Sequence, residues 1–88
     1  MIEKELKIIN KTGLHARPAA MLVKVTGKFK SDILLSKDGY EVNGKSIMGV
    51  MTLGAETGSI IIVRVEGEDE NEAMNAIEDL VKNEFYEE

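Results

Sequence analysis

The 88-residue sequence has no cysteine and no tryptophan, a single proline, a single histidine, two phenylalanines and two tyrosines. The absence of cysteine excludes a disulfide scaffold, zinc bound by thiolates and thiol chemistry. The few aromatic residues are scattered, so the chain has no stacking platform for the bases of single-stranded nucleic acid. No apolar run, including the aliphatic run at residues 60–63, is long enough to span a bilayer. We therefore expect no membrane insertion, and because no apolar signal core follows Met1 we expect a cytoplasmic protein.

Acidic residues are concentrated at one end of the chain. Residues 66–88 carry ten acidic side chains and one basic side chain, which leaves six acidic and ten basic side chains in residues 1–65. The net charge is −5 and the isoelectric point is about 4.9. Such an acidic protein lacks the phosphate-neutralising charge that duplex binding requires, so we expect no direct contact with nucleic acid. The mildly basic body can still attract an acidic surface of a partner protein.

The apolar spacing and the turn residues between apolar segments predict seven elements within one domain, residues 1–88. Strands are predicted at 2–9, 32–36, 40–43 and 59–66, and helices from Ala16 to about Lys28, at 47–53, and from Asp69 to about Asn83. The order strand-helix-strand-strand-helix-strand-helix is typical of an α+β open-faced sandwich, in which helices cover one face of an antiparallel sheet.

The predicted helices have apolar stripes and recognisable end signals. The stripes consist of Ala19, Leu22, Val23, Thr26 and Phe29 in the first helix, and of Ala73, Ala76, Ile77, Leu80 and Val81 in the last. In the middle helix, Ser46 is a good N-cap residue and Gly54 a good left-handed stop. At the start of the last helix, Asp69 and Glu72 have the spacing of a capping box.

The only histidine, His15, lies where the first helix is predicted to begin. Pro18 is compatible with the first helical turn, because the first amides of a helix have no intrahelical partner. Free amides, the positive helix end and Arg17 would then favour an anion beside the imidazole, above all a phosphoryl group. Neutral imidazole is nucleophilic near pH 7, so His15 is a candidate phosphoryl acceptor, with Arg17 stabilising the transferred charge. A lone histidine on a loop is nevertheless more often inert, and one imidazole without clustered carboxylates is not expected to bind a metal.

The second candidate feature is the uncharged segment 46–55. Its helix is apolar nearly all round, and a short helix in so small a domain is unable to bury every face. We expect Val50 and Leu53 to pack in the core. A phosphate on Ser46 would be tolerated, because the positive end of a helix favours a dianion. The other apolar side chains are expected to stay exposed as an adaptable docking surface: Ile47, Met48 and Met51.

Residues 13–19 (GLHARPA) and 45–54 (KSIMGVMTLG) resemble the two signature sequences of the HPr family, the histidine-containing phosphocarriers of the bacterial sugar phosphotransferase system. The resemblance covers essentially all 88 residues. It implies a four-stranded antiparallel sheet covered on one face by three helices. It also implies that His15 accepts a phosphoryl group on Nδ1 from phospho-enzyme I, assisted by Arg17, and donates it to the A domains of sugar-specific enzymes II.

The resemblance implies regulation as well. Ser46 matches the regulatory serine of the low-GC Gram-positive type, which an ATP-dependent serine kinase/phosphorylase modifies. The serine-phosphorylated form would bind a catabolite-control repressor protein and become a poor substrate for enzyme I. No cofactor or metal is implied, and the expected protein is a monomeric carrier rather than an enzyme. The docking patch of the family corresponds to Ala20, Ile47, Met48 and Met51.

Three other functions stay open at this point. A paralogue that acts only as a catabolite-control corepressor would lack the active histidine, and the presence of both His15 and Arg17 argues against it. A nitrogen-branch regulatory phosphocarrier would keep the histidine, but the intact segment 46–49 favours the sugar branch. A small ligand- or RNA-binding α+β module would carry stacking aromatic residues on a sheet face, and the sequence offers none.

Overall fold

The computed structural model describes residues 1–87. Its strands are β1 (Ile2–Lys7), β2 (Asp32–Lys37), β3 (Tyr40–Asn43) and β4 (Ile60–Glu66), and its helices are α1 (Ala16–Thr26), α2 (Ile47–Thr52) and α3 (Glu70–Lys82). A short turn, Glu84–Tyr86, follows α3. The predicted order of strands and helices is confirmed, and the predicted boundaries lie within two residues of the observed ones.

The strands form one antiparallel sheet in the order β1-β4-β2-β3. Strand β4 is central, where Ile61 pairs with Leu6 of β1 and Val63 pairs with Leu35 of β2. Alternate residues of β4 are buried, as expected for a sheet with one face on the core. The helices pack on that face, so the α+β open-faced sandwich is confirmed.

The core combines the buried face of the sheet with one stripe from each helix. Leu22 of α1 and Ile77 of α3 are almost completely inaccessible, and Val50 and Leu53 are buried as predicted. The stripe predicted for α3 omitted Met74, whose side chain is 1% exposed, while the predicted Ala76 is only partly buried. Val23 and Phe29 are half-buried against the edge of this core.

Two predicted elements extend two residues beyond the observed ends. Strand β1 ends at Lys7 rather than residue 9, and Ile8 continues with backbone hydrogen bonds to Gly58 and Ser59 of the connecting turn. Helix α1 ends at Thr26 rather than Lys28, because the chain tightens into three-residue turn bonds beyond it.

The capping box predicted for α3 is wrong. Asp69 occupies the N-cap position, but its side chain makes no hydrogen bond to the helix. Its carboxylate instead accepts hydrogen bonds from the Lys30 amide at 2.8 Å, the Ser31 amide at 2.9 Å and the Ser31 hydroxyl at 2.5 Å. The Asp69 carboxylate, which the spacing with Glu72 predicted as a cap for α3, therefore binds the loop before β2 instead.

The turn after α3 has unusual backbone angles. Glu84, Phe85 and Tyr86 all have positive φ, at 55°, 56° and 54°. Left-handed conformations cost non-glycine residues roughly 1 kcal/mol each, so surrounding contacts must hold the turn. Phe85 supplies one such contact, because its side chain is only 3% exposed and lies in the core.

Candidate functional site

The loop before α1, residues 10–14, is fixed by its own hydrogen bonds and by close packing. The buried Asn10 amide donates to the Gly13 carbonyl at 2.9 Å, and the Leu14 amide donates to the Ala55 carbonyl at 2.8 Å. Gly13 has φ +70°, and a Cβ there would lie 2.5 Å from the Ala55 oxygen. Only glycine fits both the left-handed angle and this close approach. The chain therefore enters α1 in a defined direction.

His15 is the N-cap residue of α1, with extended backbone angles and no side-chain hydrogen bond to the helix. The first helical bond runs from the Ala19 amide to the His15 carbonyl at 2.9 Å. The amides of Ala16 and Arg17 precede that bond, and Pro18 has no amide hydrogen. The exposed imidazole thus lies beside two backbone donors and the positive end of an 11-residue helix.

His15 borders an open groove of about 460 Å³, which lies between the start of α1 and the end of α2. The groove brings His15 together with Met51, one of the residues of the predicted docking patch. The remaining lining residues are Leu14, Ala16, Gly54, Ala55 and Glu56. Ala20 is exposed one helical turn after Ala16, so it extends the same face of α1.

Arg17 is exposed but does not line the groove of His15. It lines a second groove, of about 580 Å³, together with Lys11, Thr12, Tyr86 and Glu87. The structure therefore places His15 and Arg17 at the same helix start but on neighbouring grooves. The long side chain of Arg17 is exposed and starts two residues after His15.

Ser46 begins α2, and its Oγ accepts a hydrogen bond from the Gly49 amide at 3.0 Å, which confirms the predicted N-cap. Gly54 ends this region with φ +68°, as predicted. Three neighbouring apolar side chains project into solvent, and we call them the α2 apolar surface: Ile47 (44% exposed), Met48 (75%) and Met51 (42%). This surface borders Ser46 on one side and, through Met51, the groove of His15 on the other.

Within residues 1–87, no group of three or more His, Cys, Asp or Glu side chains is arranged to bind a metal ion. In the same part of the chain, no helix has the length and apolar character needed to cross a membrane. At the start of α1 the structure places an exposed imidazole, the first backbone amides of the helix and the exposed guanidinium of Arg17.

Fold and site together define a class of small α+β proteins with an exposed histidine at a helix start, next to an apolar surface. A family model described as the PTS HPr component phosphorylation site matches residues 2–83. The phosphocarrier protein HPr of Xylella fastidiosa is 54% identical over 87 residues, which cover 99% of this chain and 98% of the relative. The chain therefore belongs to the HPr family of phosphocarriers.

Solved structures agree with this assignment. The crystal structure of HPr from Thermoanaerobacter tengcongensis superposes with a TM-score of 0.96 at 50% identity, covering 100% of this chain and 99% of that one. Crh, the catabolite-repression protein of Bacillus subtilis, was crystallised as a domain-swapped dimer. It matches with a TM-score of 0.76 at 44% identity, over 96% of this chain and 97% of that one.

Sequence reasoning did not foresee two acidic neighbours of the site. Glu56 lines the groove of His15, and Glu87 is hydrogen-bonded to Asn10 and Thr12 at the entrance to α1. The Thr12 hydroxyl, followed by the Thr12 amide, lowers the pKa of the Glu87 carboxyl. Gly13 was the one sequence feature that pointed towards Glu56, because a glycine allows close approach of another chain segment. In the structure Gly13 packs against Ala55 and Glu56. No local pattern indicated the contact of Glu87, which joins residues 75 positions apart.

Proposed function

We propose that His15 accepts a phosphoryl group from phospho-enzyme I and passes it to the A domains of enzymes II during sugar uptake. The observation that carries the proposal is the exposed, uncapped imidazole at the start of α1, in one groove with Met51. This side chain has no structural task in its own helix, and it lies where a partner seated on the α2 apolar surface would reach it.

The transfer uses the neutral imidazole as nucleophile. One ring nitrogen of His15, Nδ1 by family resemblance, attacks phosphorus with its lone pair while the bond from phosphorus to the donor group breaks. The donor group leaves with that electron pair and is protonated. The negative oxygens of the phosphoryl group are then close to the amides of Ala16 and Arg17, and the exposed Arg17 guanidinium adds positive charge at the same helix start. Donation to the next acceptor reverses these steps.

The partners dock on exposed residues around the groove. Enzyme I and the enzyme II A domains use the α2 apolar surface together with Ala20, because exposed apolar side chains supply the hydrophobic centre of an interface. The carrier works in the cytoplasm as a monomer, since one surface serves several partners in turn. The dimer described for Crh makes oligomeric state a quantity to measure.

Ser46 is the proposed regulatory phosphorylation site, modified by a serine kinase/phosphorylase. Its hydroxyl is half-buried and adjoins the α2 apolar surface, so a phosphate there adds negative charge to the docking region. The modified form is expected to be a poor substrate for enzyme I and to bind a catabolite-control repressor protein. A purely corepressing role, such as the description of Crh indicates for that relative, is the second candidate.

The proposal is tested with phosphoenolpyruvate, purified enzyme I and intact-mass measurement before and after mild acid. We expect a gain of one phosphoryl group that acid removes, and no gain in the His15→Ala variant. Circular dichroism of that variant should match the unmodified protein, because His15 makes no side-chain bond to its helix.

The opposite result is equally informative. If a competent enzyme I transfers nothing, while the serine kinase and ATP give an acid-stable gain, the carrier function is excluded and the corepressor function takes its place. Loss of the acid-stable gain in Ser46→Ala would then assign the modified residue.

A further inference from the structure

The carboxylate of Glu87 is built into the loop that leads to His15. Its Oε1 accepts from the Thr12 amide at 3.1 Å and from the Asn10 side-chain amide at 3.2 Å, and its Oε2 accepts from the Thr12 hydroxyl at 2.5 Å. Asn10 is completely buried, and the same side-chain amide also donates to the Gly13 carbonyl. Hydrogen bonds thus connect Glu87 with Thr12 and Asn10, and connect Asn10 in turn with Gly13.

The position of Glu87 depends on the left-handed turn before it. Phe85 anchors that turn in the core, and the amide of Glu87 donates to the Glu84 carbonyl at 3.0 Å. A turn with three consecutive positive φ angles at non-glycine residues is disfavoured by itself. The contacts that offset this cost are the burial of Phe85 on one side and the three hydrogen bonds of Glu87 on the other.

We propose that Glu87 is a positioning residue for phosphoryl transfer: through Thr12 and Asn10 its carboxylate fixes the loop that places His15 at the start of α1. Only two residues, Gly13 and Leu14, separate Thr12 from His15, so a shift of this loop is transmitted to the imidazole. A small displacement of a reacting group lowers the rate of transfer strongly, because the attack on phosphorus requires alignment. The proposal rests on the proposed function of His15.

The lowered pKa of the Glu87 carboxyl is consistent with this contact, since the Thr12 donors are its largest cause, with smaller contributions from Asn10 and from the charge of Arg17. Glu84 lies in the same turn, is exposed and has the same side chain. Among the described residues 1–87, however, the Thr12 amide donates to Glu87 and not to Glu84. Glu84→Ala is therefore the matched control for Glu87→Ala.

The first experiment measures the loop without any transfer. Amide hydrogen exchange of Thr12 in the unphosphorylated protein is expected to become about tenfold faster in Glu87→Ala, and to be unchanged in Glu84→Ala. Equal exchange in all three proteins would overturn the contact on which the proposal rests.

The second experiment measures transfer from phospho-enzyme I. For Glu87→Ala we expect the maximal rate to fall about threefold to tenfold with KM unchanged, because the docking surface on α2 is not altered. Glu87→Gln keeps an acceptor oxygen and is expected to recover most of the rate. A Glu87→Ala rate equal to that of Glu84→Ala, or a Gln variant as slow as the Ala variant, would overturn the positioning role. If the unmodified protein accepts no phosphoryl group while Thr12 exchange still depends on Glu87, the proposed function has failed and the contact itself stands.

Discussion

Helices α1 and α2 both begin at an extended N-cap residue, His15 in one case and Ser46 in the other. Three residues later α2 has Gly49, whose amide donates to the Ser46 hydroxyl, whereas α1 has Pro18, which carries no amide hydrogen. A capping side chain normally accepts from an amide at the second or third helical position. Pro18 removes one of those two donors in α1, and the imidazole of His15 makes no bond to the helix.

The difference separates two uses of a helix start. The side chain of Ser46 contributes to the stability of α2, so a change there affects both fold and surface. The side chain of His15 makes no capping bond, so a change of that side chain is expected to cost the fold little. Proline within the first turn is compatible with the helix and removes one of the two amides that an N-cap side chain can bond.

The largest expected effect comes from giving α1 the cap residue of α2. His15→Ser should abolish phosphoryl acceptance, because a serine without an adjacent base is a weak nucleophile. Its free energy of unfolding should change by less than about 0.5 kcal/mol, because Pro18 leaves the new hydroxyl only the Arg17 amide to bond. In a Pro18→Ala background the same change should stabilise by about 1 kcal/mol. Urea unfolding of the unmodified protein, the two single variants and the double variant measures the coupling between the two positions. If the two substitutions have additive effects on the free energy of unfolding, the role assigned to Pro18 is contradicted.

The two left-handed glycines beside these helices should differ in their tolerance of alanine. Gly13 and Gly54 have nearly equal φ, at +70° and +68°, but only at Gly13 does a Cβ meet backbone atoms, whereas at Gly54 it meets open space. We expect Gly13→Ala to cost about 3 kcal/mol and Gly54→Ala about 1 kcal/mol in unfolding free energy. Equal costs in denaturant titrations would show that the loop next to Ala55 relaxes freely.

Substitutions of Ser46 should separate capping from charge. Ser46→Ala is expected to cost about 1 kcal/mol in stability, while Ser46→Asp, itself a good N-cap residue, should cost much less. The aspartate should nevertheless slow phosphorylation by enzyme I about tenfold at low salt, if the partner surface is acidic. An unchanged rate for Ser46→Asp would remove charge repulsion as the basis of regulation.

The smallest effect concerns the third helix start, where Asp69 bonds to the loop at Lys30 and Ser31. The Ser31 hydroxyl, followed by the Lys30 amide, lowers the pKa of the Asp69 carboxyl. Because the pKa is lower in the folded state, the stabilisation is present above the unfolded pKa and is lost as the pH falls through the folded value. The midpoint temperature of thermal unfolding should therefore fall less steeply between about pH 6 and pH 2 for Asp69→Asn than for the unmodified protein.

The accuracy of sequence reasoning differed among the three helix starts for a physical reason. The cap of Ser46 was predictable because donor and acceptor are three residues apart, and the helix brings them together wherever the rest of the chain lies. The predicted capping box of Asp69 obeyed the same local rule and was wrong. There, the loop at Lys30 and Ser31 approaches from 38 or more positions away and binds the carboxylate.

The sequence by itself determined the order of elements, the burial of Val50 and Leu53, the exposure of the α2 apolar surface and the location of His15 at a helix start. These features follow from apolar spacing and turn chemistry, which act over a few neighbouring residues. Tertiary structure alone decided that His15 and Arg17 face neighbouring grooves, and that Glu87 holds the loop at Thr12. Such contacts join distant parts of the chain, and they exist only once the sheet and helices have packed into one core.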